Sequence, residues 1–357
     1  MKTAAMIDCI SKLTLIILTE AFLSSCTTVQ SVDTIMEEYS SPGAPGAAVL
    51  VMKNNSVVFK KAYGFADLEE RRPITTTTNF RLASVTKQFT AMCIMTLAGR
   101  GLLSYEDTLP KFFSDFPAYG RAITVRHLLN HTSGLVDYES LIPDSQTVQV
   151  SDRDCLELLK KVDSLYFPSG TKFQYSNTGY AFLALVVEQV SGKRFPDFLK
   201  ENIFDKAGMN TTLAFENGIS TVPNRAYGYS YNDGQWIRTD QSVTSAVLGD
   251  GGIYSSVEDM SRWGLALYNA MLVPAATQLA SWTEGKLNDE TSIDYGLGWR
   301  LETHRNVRHP YHDGSTMGFR NTIQLFPDQK LMVVILTNRN EGEPADYAHK
   351  IADLYLK

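Results

Sequence analysis

The chain has 357 residues, of which 44% are hydrophobic and 20% charged, the composition of a globular protein long enough to bury a core with two lobes. Its formal net charge of −6 provides no basic surface, which argues against nucleic acid as a partner. The sequence contains no apolar run of about twenty residues, so it predicts no membrane-spanning helix.

The N-terminal segment predicts a targeting signal. Residues 1–25 contain two lysines and a short apolar run, and they end in small residues before Cys26. The stretch LSSC resembles the lipobox of bacterial lipoproteins, which implies cleavage before Cys26 and acylation of its thiol. We therefore expect a protein lipid-anchored at Cys26 in the bacterial cell envelope and facing the periplasm or the exterior. Asp8 and Glu20 do not fit a clean signal, which leaves a disordered or amphipathic leader as the alternative.

The first part of the chain changes from strand signals to helix signals. Residues 26–40 are typical of a tether that runs into a first helix. Two β-rich runs follow at 47–52 and 56–63, and the polar residues between them indicate a hairpin. Helical segments come next. Three of them are predicted from Ser84 to Gly99, from Asn177 to Gly192 and from Phe195 to Gly208, and another helix is predicted to begin at a capping box formed by Ser151 and Asp154.

Strand signals return in the last third of the chain. Predicted there are a helix capped by Ser256 and Asp259, strands at 295–302, 321–326 and 331–338, and a final helix over 343–356. Strands at both ends with helices between them predict an α+β fold, in which one antiparallel sheet flanked by helices is built from both termini. We assign 41–82 and 226–357 to a sheet lobe and 83–225 to an inserted all-helical lobe, together forming one domain.

Ser84 and Lys87 carry the first chemical signal. Positions three apart lie on one face of a helix, so this spacing puts a hydroxyl beside an amine. A serine is a weak nucleophile until a neighbour takes its proton, and a lysine takes it only where burial or another cation lowers the pKa of the amine. The same spacing recurs at Ser169 and Lys172, but Gly170 indicates a turn there, which does not hold the lysine over the serine.

Two later segments carry further groups that suit acyl transfer. Tyr175 and Asn177 form the only Y-x-N of the chain, just before an apolar helix. A phenol can act as a base beside an ammonium, and an amide can both donate to and accept from a substrate. His312 and Gly314 fall at a strand and are followed by Ser315, where a glycine lets backbone N–H groups approach a substrate carbonyl.

In this order the three motifs resemble those of serine β-lactamases and penicillin-binding proteins, and the chain is most similar to their class C β-lactamase-like branch. Longer stretches carry the same resemblance, namely LLNHTSGL (128–135), PSGTKFQYSNTGY (168–180), GDGGIYSSVEDMSRW (249–263) and YGLGW (295–299). The resemblance spans about residues 35–350. It implies that Ser84 is acylated, and that Lys87 and Tyr175 share its proton and later activate the deacylating water.

The resemblance also implies roles for the other motif residues. Asn177 would orient Lys87 and bind the substrate, and the backbone N–H groups of Ser84 and Ser315 would form an oxyanion hole. His312 stands where β-lactamases proper have a lysine. Because histidine titrates near neutrality whereas lysine is a permanent cation, we expect weak or absent β-lactam hydrolysis.

We therefore expect an envelope-anchored serine hydrolase that works through an acyl-enzyme on an amide or ester. Peptides of D-amino acids related to peptidoglycan are the favoured substrates, as for a DD-peptidase or carboxypeptidase. A carboxylesterase, a true β-lactamase and a non-catalytic penicillin-binding or scaffold protein are the competing hypotheses. No cofactor is expected, and the only partners expected are a small-molecule or peptide substrate and the membrane.

Residues outside the motifs predict ordinary structural roles. Cys93 and Cys155 lie in apolar helical patterns and are expected as buried free thiols. No spacing of ligand residues indicates a metal site. His131 is expected to end a helix and hydrogen-bond the following turn, while His304 and His309 flank a charged loop and are expected to face solvent.

Overall fold

A six-stranded antiparallel sheet forms the base of the molecule. The computed structural model describes residues 31–356; the predicted signal peptide (1–25) and Cys26 lie outside them. The strands are β1 Ala47–Lys53, β2 Ser56–Tyr63, β3 Arg300–His304, β4 Val307–Thr316, β5 Phe319–Phe326 and β6 Leu331–Thr337. Their order across the sheet is β3-β4-β5-β6-β1-β2, so strands from the two ends of the chain pair at its centre. The predicted α+β class, with one sheet built from both termini, is confirmed.

Most of the helices lie between β2 and β3. Four of them are labelled here: α1 Lys87–Gly99, α2 Asn177–Ser191, α3 Val257–Tyr268 and, near the C-terminus, α4 Pro344–Asp353. The others are Val32–Ile35, Leu109–Phe112, Val125–Leu129, Asp152–Leu159, Phe195–Leu199, Asp205–Ala207, Leu248–Gly251 and Ala275–Ser281. Two predicted helix ends are confirmed, since Ser151 and Asp154 form a reciprocal capping box and Gly192 ends α2 in the left-handed conformation.

Both faces of the sheet are covered. On one side α3 packs against β1 and β6 as part of the main core, which also contains α1 and α2. On the other side Val32–Ile35 and α4 enclose a second apolar cluster. Every residue of β6 is buried, which explains why this strand reads as a continuous apolar run instead of an alternating one.

The turn between β1 and β2 and the loop before β3 test two of the strand predictions. Asn54 and Asn55 join β1 to β2 with φ values of 50° and 62°, so the predicted hairpin is confirmed as a tight two-residue turn. The strand predicted at 295–302 is wrong in its first half, because β3 begins only at Arg300. Gly298 has a φ of 80°, a left-handed conformation that a strand does not contain, and the loop around it presses against the start of α1.

Four smaller sheets connect the remaining segments. Their strands are Phe65–Asp67 with Arg72–Pro73, Phe80–Arg81 and Leu213–Ala214 with Ile253–Ser255, Tyr229–Asn232 with Gln235–Arg238, and Gly285–Lys286 with Ser292–Ile293. The region predicted as all-helical therefore contains one short strand, Leu213–Ala214. Within residues 31–356, no helix combines the length and the apolar character needed to cross a membrane.

The cysteine prediction is confirmed and the prediction for two histidines is wrong. Cys93 and Cys155 are free and buried. His309 is fully buried and stacks on Phe326, and His304 is partly buried with its Nε2 atom 2.7 Å from Asp353 Oδ1. The charged residues around the turn between β3 and β4 had indicated solvent, but α4 packs over this part of the sheet.

Candidate active site

Ser84 and Lys87 lie where the chain enters α1. Ser84 belongs to a 3₁₀ turn, Ala83–Thr86, that continues directly into the helix, and its side chain is half-buried. Lys87 is fully buried, and its Nζ atom lies 3.1 Å from Ser84 Oγ. The local spacing therefore brings the hydroxyl and the amine into direct contact, as the sequence predicted.

Two acceptors from distant parts of the chain complete the surroundings of the amine. Lys87 Nζ donates to Asn177 Oδ1 at 2.8 Å and to the backbone oxygen of Asp250 at 3.1 Å. Both are oxygens that can only accept, so they take two N–H bonds of the amine. In a neutral amine the third position is a lone pair, and this lone pair then faces Ser84 Oγ. The arrangement can thus receive the serine proton without moving any heavy atom.

The orientation of Asn177 is determined by its two partners. Its Oδ1 atom accepts from Lys87, and its Nδ2 atom donates to Glu139 Oε1 at 3.1 Å. Its backbone N–H, at the start of α2, donates to Asp137 Oδ2 at 3.1 Å. If the side-chain amide turned over, its N–H group would face the Lys87 amine and its oxygen would face the Glu139 carboxylate. Both contacts would then be unfavourable, so the orientation of the amide is fixed. Glu139 and Asp137 are site residues that the sequence reasoning missed.

Tyr175 is held beside the Lys87 amine by stacking of its ring on His131. Its ring packs on His131 with centroids 4.3 Å apart, and Lys87 Nζ and the Arg300 guanidinium lie 4.9 Å and 4.8 Å from its centroid. Among the described residues its hydroxyl makes no hydrogen bond to Ser84 or Lys87. The predicted proton-transfer role of Tyr175 therefore stays a prediction, whereas its place beside the amine is observed.

His131 has a structural role, although not with the predicted partner. It follows helix Val125–Leu129 with a φ of 60°, and its Nδ1 atom accepts the backbone N–H of Ser176 at 3.1 Å. The bond reaches the tyrosine motif instead of the turn that follows His131. Burial lowers the pKa of His131 well below its usual value, and Lys87 lowers it further. The ring is a neutral support for Tyr175.

His312 is neutral for a related reason. It is buried on β4, and its Nδ1 atom lies 2.7 Å from the backbone oxygen of Asp313, which can only accept. The proton is therefore on Nδ1, and Nε2 accepts the hydroxyl of Tyr295 at 3.0 Å. Burial lowers the pKa of His312 well below its usual value, with further lowering from Lys87 and Arg300. The third motif consequently presents no cation.

Gly314 lets β4 pass close to the serine turn. A Cβ atom at this position would lie 2.1 Å from the backbone oxygen of Leu82, so any side chain would push the strand away. With glycine there, Ser315 lies on the wall of a narrow cavity that Ser84, Asn177 and Asp250 also line. Both predicted oxyanion-hole residues, Ser84 and Ser315, thus lie on the wall of one cavity.

A buried carboxylate holds the segment that supplies the Asp250 carbonyl. Asp152 accepts the backbone N–H groups of Leu248 and Gly249 at 2.9 Å and 3.0 Å, and burial raises its pKa to about 8. The Asp250 carboxylate accepts the hydroxyl of Tyr138 at 2.8 Å, and burial raises its pKa to about 6. No local pattern in the sequence reveals these long-range partners.

The second S-x-x-K does not form such a site. Lys172 is exposed, and Ser169 donates only to the backbone oxygen of Ala122, at 3.3 Å. Gly170 between them has a φ of 77°, which places the segment in a turn. The prediction that this copy is not catalytic agrees with its geometry.

Comparisons with known proteins cover nearly all of the described chain. A family model described as Beta-lactamase matches residues 30–356. Penicillin-binding protein 4* of Bacillus subtilis is 32% identical over 330 residues, which are 88% of this chain and 73% of that protein. A D-aminopeptidase of Brucella anthropi is 29% identical over 337 residues, 91% of this chain, and this chain spans only 61% of that relative's length. The crystal structure of a penicillin binding protein from Bacillus halodurans matches with a TM-score of 0.78 and 30% identity, over 91% of this chain and 99% of that one.

Proposed function

This chain belongs to the β-lactamase family and is a serine hydrolase, and we propose that it cleaves peptides or amides of D-amino acids through an acyl-enzyme on Ser84. One observation carries the proposal: the buried amine of Lys87 contacts Ser84 Oγ while two oxygens that can only accept hold its other positions. A side chain buried only for packing has no reason to direct an amine at a half-exposed hydroxyl, since burial of an amine is costly.

The proposed reaction has two halves. In the first, Ser84 Oγ attacks the substrate carbonyl while its proton passes to Lys87, directly or through Tyr175, and the tetrahedral oxyanion is held by backbone N–H groups of Ser84 and Ser315. The leaving amine takes the proton as its bond to carbon breaks, which leaves an ester on Ser84. In the second half, water loses a proton to the same base, attacks that ester and releases the acid, and Ser84 is protonated again.

Recognition of a substrate carboxylate is proposed to rest on Arg320. This arginine pairs across the sheet with Ser315 and donates to Ser315 Oγ. A guanidinium is always charged, whereas His312 is neutral, so Arg320 places a permanent cation beside Ser315. Arg81 also lines the cavity, but its buried guanidinium already donates to Ser245 and to the backbone oxygen of Gly251. This supports the carboxypeptidase-like mode, in which the free C-terminal carboxylate of a D-amino-acid peptide binds near Ser315.

Glu139 supports a second candidate, the aminopeptidase mode. Its carboxylate accepts from Asn177 Nδ2 and lies on the wall of the Ser84 cavity, where it can bind the ammonium of an N-terminal D-amino acid. Burial raises the pKa of Glu139, and a bound ammonium would favour the charged form again. The D-aminopeptidase among the relatives supports this candidate, although this chain spans only part of its length.

A pair of substrates and a pair of variants separate the two modes. We would compare an N-acylated peptide ending in D-Ala-D-Ala with D-alanine p-nitroanilide, using wild type, Arg320→Gln and Glu139→Gln. The carboxypeptidase mode predicts that Arg320→Gln raises KM for the acylated peptide and leaves the anilide unchanged, and the aminopeptidase mode predicts the reverse pattern for Glu139→Gln. Ser84→Ala is the control for both. If neither substrate is turned over while p-nitrophenyl esters are, the proposed substrate class is wrong and the chain is a carboxylesterase instead.

Activity as a true β-lactamase and a non-catalytic scaffold role each have a direct test. A true β-lactamase would turn over nitrocefin as fast as dedicated β-lactamases do, which we do not expect because His312 supplies no cation. A non-catalytic penicillin-binding or scaffold protein would show no steady turnover of any ester or amide, whether or not a fluorescent penicillin labels it. Labelling that persists in Ser84→Ala would refute the assigned nucleophile.

We also propose that the chain is anchored by a lipid on Cys26 and acts in the bacterial cell envelope, supported by the LSSC stretch that spans the proposed cleavage site. Cells grown with radiolabelled palmitate should incorporate label into the wild type but not into Cys26→Ser. Cys9→Ser is the matched control, because Cys9 belongs to the segment removed by cleavage. Equal labelling of wild type and Cys26→Ser would contradict the proposal.

A further inference from the structure

Two histidines and a glutamate meet on the face of the sheet that is turned away from Ser84. Glu302 on β3 and His309 on β4 are direct partners in the antiparallel register, so their side chains lie side by side on one face. His312 is three positions along the same strand, and alternation therefore places it on the opposite face. His349 comes from α4, which packs over this face. The donor atoms of the three residues all lie within 4.8 Å of one another.

Three ring nitrogens of this cluster, both of His309 and Nε2 of His349, are buried and have no hydrogen-bond partner among residues 31–356. His309 has a fully buried side chain, and within residues 31–356 neither of its ring nitrogens has a hydrogen-bond partner. Its Nε2 atom lies 3.0 Å from Glu302 Oε1, and His349 Nε2 lies 3.2 Å from that same oxygen, but neither contact has the direction of a hydrogen bond. Since buried polar atoms are nearly always paired, two buried nitrogens that face one carboxylate oxygen without a hydrogen bond require a physical explanation.

We propose that Glu302, His309 and His349 bind a divalent transition-metal ion, with Zn²⁺ as the best fit. Zinc takes imidazole nitrogens and carboxylate oxygens at about 2.0–2.2 Å in a tetrahedron, which places neighbouring donor atoms roughly 3.3 Å apart. The separations of 3.0 Å and 3.2 Å are close to that value. The side chains of Glu302 and His349 are 38% and 25% exposed, which leaves a path for the ion and room for a water ligand.

Neighbouring residues support the ligands without competing for the ion. His304 stacks on His349 with ring centroids 4.4 Å apart and an angle of 5° between the planes. Its Nε2 atom is engaged by Asp353 Oδ1 at 2.7 Å, and Asp353 also pairs with Arg305. The ion would join β3, β4 and α4, and because β4 carries the third catalytic motif on its other face, its role would be to hold that strand in place. It takes no part in the chemistry at Ser84.

The test is metal binding by the full chain expressed without a polyhistidine tag. After removal of metal with a chelator, wild type should bind one equivalent of Zn²⁺ in a calorimetric titration, and zinc should raise its melting temperature. His349→Ala should weaken zinc binding by about 100-fold or more, because a ligand is lost. The matched control is His304→Gln, because His304 stacks on His349 without being a ligand, and the zinc affinity of this variant should stay within about threefold of wild type. His349 is chosen before His309 because its side chain is 25% exposed, whereas that of His309 is fully buried, so its variant is the better able to fold.

Substitution with cobalt tests the coordination number of the proposed metal site independently of the binding titration. Co²⁺ in place of zinc should give the visible absorption of a four-coordinate site in wild type and His304→Gln, and this absorption should be absent in His349→Ala. Failure of the stripped wild type to bind zinc would overturn the proposal and leave the cluster as ion pairs between the histidines and Glu302. Binding that is equally strong in His349→Ala would overturn it as well. Neither result depends on the substrate proposed for Ser84.

Discussion

Replacing Lys87 by methionine removes the amine of the active site and keeps most of its volume. Methionine fits the buried position in α1 but has no nitrogen to receive the proton of Ser84 Oγ. A positioned base contributes a factor of about 10²–10⁴ to a rate, which corresponds to roughly 3–5 kcal/mol of barrier. We therefore expect Lys87→Met to slow acylation of Ser84 by at least about 100-fold.

The free energy of unfolding should change far less, because two effects of Lys87→Met oppose each other. The variant removes an amine that is fully buried, and keeping such a group charged inside the protein costs several kcal/mol. It also leaves Asn177 Oδ1 and the backbone oxygen of Asp250 without an N–H donor, at about 1–3 kcal/mol each. We expect a net change of about 2 kcal/mol or less in either direction.

The assay follows the burst of p-nitrophenol from an activated ester, with intact-protein mass spectrometry to count acylated Ser84 and urea unfolding to measure stability. Lys172→Met is the matched control, because Lys172 belongs to the second, exposed S-x-x-K and should change neither quantity. If a folded Lys87→Met protein acylates at more than about a tenth of the wild-type rate, the amine is not the base. Slow acylation in Lys172→Met would equally refute the argument from geometry.

Three further predictions concern the supports of the site. Asp152→Asn should lower the free energy of unfolding by about 1–3 kcal/mol in urea titrations above about pH 8, where the Asp152 carboxyl is ionised, because an amide has one accepting oxygen for the two N–H groups that the carboxylate accepts. Gly314→Ala should abolish ester acylation through displacement of β4, since its Cβ would meet the oxygen of Leu82 at 2.1 Å; a soluble variant with unchanged kcat would contradict this. His312→Gln should become relatively more stable than wild type as the pH falls below about 6.5, by about 1.4 kcal/mol per pH unit, because the unfolded chain binds a proton there that neutral His312 in the folded chain does not. Parallel stability curves for the two proteins across pH 5–8 would show that folded His312 binds a proton as readily as it does in the unfolded chain, which would contradict the prediction.

The sequence was most informative where the relevant contacts are local. Ser84 and Lys87 are one helical turn apart, so their contact follows from helix geometry. The hairpin at Asn54 and the capping box at Ser151 likewise involve residues within a few positions of each other. The error at 295–302 has the opposite cause, because Gly298 turns left-handed where the loop meets α1, a contact between segments far apart in the chain.

The motif residues could be named from the sequence, but several of their properties could not. A histidine on a strand titrates near neutrality by default, and only the burial of His312 beside Lys87 and Tyr295 indicates that it stays neutral. Glu139 and Asp152 belong to no motif, and their roles appear only once the chain brings them to Asn177 and to the short helix Leu248–Gly251. Low-dielectric surroundings and long-range hydrogen bonds are products of packing, and no local pattern encodes them.

What the sequence determined by itself is therefore the set of local elements and the contact between Ser84, the proposed nucleophile, and Lys87, since both depend on backbone geometry over a few residues. The tertiary structure decided which acceptors face the Lys87 amine, because Asn177 and Asp250 lie 90 and 163 residues away along the chain. It also decided that His309 is buried with Glu302 and His349, where charged neighbours in the sequence had indicated solvent. In both cases a polar group, the Lys87 amine or the His309 ring, is removed from water. Its burial depends on every segment that packs around it, and not on its neighbours in the sequence.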